Sequence, residues 1–110
     1  MGIIVFYDGN NGTQNIVQTV EDVPGQNFSP KKNDVIRSCK LYNVRAGCEI
    51  KLYDSPDGSM SDDFTIINVK RNSPEYTVNT FERSYEDEYV VVTFIPKDGI
   101  DGKVSRIKIN

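Results

Sequence analysis

Apolar residues fall in short stretches rich in Val, Ile, Tyr and Phe: Ile3 to Tyr7, Ile16 to Val20, Ile36 to Tyr42, Cys48 to Tyr53, Phe64 to Val69, Tyr89 to Ile95 and Val104 to Ile109. Runs of this length and composition predict β-strands, and helical periodicity is hard to find. In Cys48-Glu49-Ile50-Lys51-Leu52 and in Arg106-Ile107-Lys108-Ile109 apolar and charged residues alternate, as in strands with one wet face. Turn-forming clusters separate the runs: Asp8 to Gly12, Pro24-Gly25, Ser55 to Gly58, Asn72-Ser73-Pro74 and Pro96 to Gly99. Seven or more strands at this spacing predict an all-β antiparallel sandwich. The stretch from Asn72 to Glu88 is the least patterned and reads as a long connection, with Phe81 and Tyr85 spaced for one face of a short helix. Its acidic residues read as a solvated surface.

Length and charge narrow the picture. The chain has 110 residues, enough for one core, so a single domain over 1–110 is expected. With 37% hydrophobic and 26% charged residues it resembles an ordinary globular protein. Net charge is −3 and the longest basic run is Lys31-Lys32, so neither nucleic acid nor an anionic membrane is an expected partner. The longest apolar run, Val90-Val91-Val92 with Phe94 and Ile95, is too short to span a bilayer, and a soluble chain is expected. The compartment stays open between secreted and cytoplasmic, because Asn11-Gly12-Thr13 and Asn27-Phe28-Ser29 fit the glycosylation pattern but have meaning only in a secreted chain. Cys39 and Cys48 are each in phase with apolar neighbours, which leaves buried free thiols or one disulfide closing a short loop.

No His occurs. Its absence removes the commonest general base, the usual zinc ligand and every Ser-His or Cys-His nucleophile pair. The pairs Asp62-Asp63 and Glu86-Asp87 lie in exposed-looking stretches as sequence neighbours, a poor geometry for paired acid-base work, and no glycine-rich phosphate loop is present. A non-enzymatic protein is expected.

One phrase occurs twice. Phe6-Tyr7-Asp8-Gly9-Asn10-Asn11-Gly12 and Leu52-Tyr53-Asp54-Ser55-Pro56-Asp57-Gly58 each run from an apolar-aromatic strand end into an acidic turn. Each is followed later by a second acidic turn: Asn33-Asp34-Val35-Ile36-Arg37-Ser38 and Asp101-Gly102-Lys103-Val104-Ser105-Arg106. Asp, Asn, Ser and Gly are ordinary turn formers, but they also supply the oxygens a hard cation needs. The linear EF-hand pattern is absent, so a cation site must be assembled from separate turns.

These residues resemble the βγ-crystallin superfamily, whose domain is built from two Greek-key motifs, each opening with an aromatic-Tyr-acidic turn and closing with a turn of the form N/D-N/D-x-x-S/T-S. Tyr7 precedes Asn33 by 26 positions and Tyr53 precedes Asp101 by 48. The first key is therefore placed at about residues 1–45 and the second at about 46–110, with an insertion near 72–88. The resemblance implies calcium between the keys, bound by the carbonyls of Asp8, Asp54, Val35 and Lys103, the carboxylates of Asp34 and Asp101, and the hydroxyl of Ser105. Arg37 stands where the first closing turn needs a hydroxyl, and a guanidinium has no acceptor to offer. The site at Ser105 is thus expected to be the better one. A secreted interaction module for protein or glycan, with calcium lost or incidental, is the alternative reading.

Overall fold

The computed structural model describes residues 2–97, 100 and 103–110. Its strands are β1 (Ile3–Tyr7), β2 (Ile16–Glu21), β3 (Gln26–Phe28), β4 (Ser38–Tyr42), β5 (Glu49–Tyr53), β6 (Phe64–Val69), β7 (Tyr76–Val78), β8 (Tyr85–Glu86), β9 (Val90–Ile95) and β10 (Arg106–Ile109). One 3-10 turn at Asn10–Gly12 is the sole helical element among the described residues.

The strands form two sheets, with orders β2-β1-β4-β7 and β3-β10-β5-β6-β9-β8, and every pairing is antiparallel. The chain is all-β and the sheets make a sandwich. Its halves share an arrangement: β4 returns beside β1 on the side away from β2, and β10 returns beside β5 on the side away from β6. The third strand of each half is exchanged, since β3 pairs only with β10 and β7 only with β4. Neither half can complete its sheets alone.

Alternation along each strand creates the core. In β6 the sequence FTIINV gives half-buried Phe64, Ile66 and Asn68 on one face and buried Thr65, Ile67 and Val69 on the other. Ile4, Phe6, Ile36, Leu52, Ile107 and Ile109 join Ile67 in the core, and each such side chain stabilises the fold by roughly 1.5 to 3 kcal/mol. Cys39 and Cys48 are buried free thiols, and burial pushes both up, Cys39 well above the usual thiol range.

The structure corrects the reading of residues 72–88. Neither a long connection nor a helix is present there: β7 and β8 lie within it, and the additional pair β8–β9 extends the second sheet. Phe81 is fully buried, and the Thr65 hydroxyl donates to its carbonyl at 2.7 Å. Strands of two or three residues carry too little alternation to register as a periodic pattern, which also hid β3. The acidic residues there remain on the surface but are engaged. Lys70 meets Glu86 at 2.7 Å, Arg71 pairs with Glu88, and the Tyr76 hydroxyl donates to Asp87. Among the described residues no helix is long and apolar enough to cross a membrane.

Candidate metal centre

β1 and β5 end in equivalent turns. Past Tyr7, the Asp8 amide donates to the Asn15 carbonyl at 3.0 Å, and past Tyr53, the Asp54 amide donates to the Asp63 carbonyl at 3.0 Å. The closing turns dock on the same two strand ends. Arg37 N–H donates to the Tyr7 carbonyl at 2.9 Å, and Ser105 N–H to the Tyr53 carbonyl at 2.8 Å. Arg37 and Ser105 therefore occupy matching places in the two halves. Ile36 and Val104, one residue earlier in each turn, are both fully buried and anchor the turns to the core.

The closing turns also touch each other. Asp34 N–H donates to the Val104 carbonyl at 3.2 Å, and the Ser105 hydroxyl lies 2.9 Å from Asp34 Oδ1 and 3.3 Å from the Lys103 carbonyl. One carboxylate from the first turn thus meets one hydroxyl and one carbonyl from the second. Ser105 is 4% exposed, while Asp34 is exposed and adopts φ +60, a left-handed conformation that Asp tolerates better than most residues. Val35 follows Asp34 in the first turn and is half-buried. Asp101 lies outside the described residues.

The two opening carboxylates differ sharply. Asp8 Oδ1 accepts from Asn15 N–H at 2.8 Å and Asp8 Oδ2 from Asn15 Nδ2 at 3.3 Å. The Asn15 amide holds the Asp8 carboxyl below its ordinary range, so this side chain is committed to its own loop. Asp54 behaves oppositely: burial pushes its carboxyl up, and Asp62, Asp63 and Asp34 add to the rise while Lys103 opposes it. Asp34, the carboxylate that meets Ser105, is thus among the acids whose field Asp54 feels.

Hydrophobic patterning did not single out Asp62 or Asp63, and Asp63 proves to be fully buried rather than exposed, with its Oδ2 accepting from Lys97 N–H at 2.9 Å. Its position as the partner of Asp54, matching Asn15 as the partner of Asp8, is the signal that would have found it. Among the described residues no three His, Cys, Asp or Glu side chains converge closely enough to hold an ion by themselves. The usable donors at the cluster are mixed oxygens, a set that fits a hard, loosely coordinated cation such as calcium and not zinc. Comparison with protein-family models, with curated proteins and with solved structures finds no match for this chain.

Proposed function

We propose that the chain is a non-enzymatic, calcium-binding domain of βγ-crystallin type, stabilised by an ion held where its two halves meet. The observation that carries this reading is the Ser105 hydroxyl 2.9 Å from Asp34 Oδ1 and 3.3 Å from the Lys103 carbonyl. An ion there would draw one ligand from the first closing turn and two from the second, with water completing the six to eight oxygens that calcium takes. The carboxylates of Asp54, Asp62 and Asp63 would supply field rather than direct ligands. The strand orders support the Greek-key reading: in each half the last strand returns beside the first, the third lies in the opposite sheet, and the second half carries the additional pair β8–β9.

The alternative of an interaction module reading a basic partner through its acidic loop draws less support. Glu86 and Glu88 of that loop are already paired with Lys70 and Arg71.

A ligand that binds only the native arrangement stabilises it by about 2.7 kcal/mol at a hundredfold excess over its dissociation constant. Thermal melts with calcium, with magnesium and with chelator test the proposal. A calcium-selective rise in melting temperature that Ser105→Ala removes is the expected result. Identical curves in all three conditions would sink the metal reading and leave the fold standing.

A further inference from the structure

The two halves are joined through one tight turn, Arg45-Ala46-Gly47-Cys48, between β4 and β5. Cys48 N–H donates to the Arg45 carbonyl at 3.2 Å across it, and Gly47 adopts φ +90, a conformation that a β-carbon disfavours. Ala46 and Gly47 are exposed. Among the described residues, the other hydrogen bonds around this turn lie either within one half or between the halves. Arg45 N–H and Nε donate to Asp22 Oδ2 and to the Asp22 carbonyl, inside the first half. Gly47 N–H donates to the Val69 carbonyl and Glu49 N–H to the Asn110 carbonyl, inside the second. Asn43 N–H reaches the Ser73 carbonyl at 2.8 Å and Asn72 Nδ2 the Val44 carbonyl at 3.2 Å, both between halves.

A bond within a half survives when the turn straightens, and a bond between halves re-forms when the missing half comes from another molecule. Of the bonds around the turn, only that from Cys48 to Arg45 requires both halves to belong to one chain. The sheets follow the same logic, because β3 fills the edge of β10 and β7 the edge of β4 whichever chain supplies them. We propose that two copies of this chain exchange halves: the turn at 45–48 opens, β3 of each copy pairs with β10 of the other, and β7 of each with β4 of the other. The product is a twofold dimer in which each sandwich is native and only the two turns differ. A short connection holds its two ends at an effective concentration on the order of millimolar, so the closed chain prevails in dilute solution and the exchanged dimer forms when folding occurs at comparable chain concentration. The exchange does not depend on an ion at Ser105.

A matched pair of glycines tests this. A β-carbon on Gly47 or on Gly25 would meet no atom within 4 Å, and their φ values are +90 and +87, so valine strains each turn alike without a clash. Opening relieves the strain at Gly47 alone, because Gly25 sits in the β2–β3 turn inside the first half. Gly47→Val should raise the dimer association constant about a hundredfold, about tenfold for each of two hinges, in size-exclusion chromatography with light scattering after refolding across a concentration series. Gly25→Val should lower the melting temperature and leave the association constant at the parent's value. Should Gly47→Val fail to fold, Gly47→Ala is read the same way with a smaller gain. Val78→Cys then identifies the dimer, since Val78 is the cross-strand partner of Cys39. On oxidation the new bond should link two chains in the dimer peak and close within one chain in the monomer peak. A parent chain that stays monomeric after refolding at roughly millimolar concentration overturns the proposal. So does a folded Gly47→Val with no gain in dimer, an equal gain in Gly25→Val, or a bond within one chain in the dimer peak.

Discussion

The two closing turns carry the same pair of residues in opposite order, Arg37-Ser38 and Ser105-Arg106, and the inversion gives each turn a different job. In the first, Ser38 is fully buried and its hydroxyl accepts from Gly12 N–H at 2.9 Å, tying the closing turn to the opening loop of its own half. In the second, Arg106 takes over that task by donating from Nε to the Pro56 carbonyl at 2.8 Å. This frees Ser105 to face Asp34 of the other half. Two turns with one backbone plan can thus divide labour: one latches its own half, while the other latches its half and also offers a hydroxyl oxygen across the junction.

The largest expected effect breaks the shared part of the comparison. Ile36→Ala should cost roughly 2 to 5 kcal/mol in urea unfolding, with or without calcium, because it empties a fully buried anchor. Next comes the part that differs. Ser105→Ala should lower metal-free stability by about 1 kcal/mol through loss of the bond to Asp34, and should weaken calcium in isothermal titration by about tenfold or more. Arg37→Ser, its mirror, should add a second, weaker calcium equivalent to the same titration. If it adds none, the matching positions are not functionally equivalent. Asp34→Asn keeps a residue suited to φ +60, so metal-free melts should hardly move while calcium affinity falls.

The smallest effect concerns the opening turns. Burial and neighbouring acids raise Asp54 above its unfolded value, so its charged form works against the metal-free fold once the pH exceeds both values. Asp54→Asn should therefore raise the metal-free melting temperature slightly at neutral pH, and the gain should vanish as the pH falls through the folded value. Asp8→Asn should show no such gain, because Asp8 is held down by Asn15 and its contribution is lost, not recovered, on acidification. Melts of both variants across acidic and neutral pH separate the two cases. Calcium should weaken in Asp54→Asn alone.

Much of the scaffold was legible beforehand. The seven longer strands lie close to their apolar runs because alternation at period two records which face is buried. The repeated Tyr-Asp turns and the contrast between Arg37 and Ser105 were also readable, since each residue sits at a fixed offset from a strand end. The short strands β3, β7 and β8 were not, because their pairing comes from strands distant in sequence. Asp63 looked like a surface acid because a loop residue carries no periodic signal of burial. Arg45 and Asp22 carried no local sign that one would wrap the other, since their bonds depend on how β2 and β4 end in space.

By itself the sequence determined that the chain is an all-β protein of repeated turns, lacking the histidine chemistry of many enzymes, because strand period, turn chemistry and composition are local properties. The exchange of β3 and β7 between sheets and the meeting of Asp34 with Ser105 were decided only by the tertiary structure. Each joins residues separated by tens of positions, and their proximity arises from burying two half-apolar sheets against each other, a constraint that no local window of the chain contains.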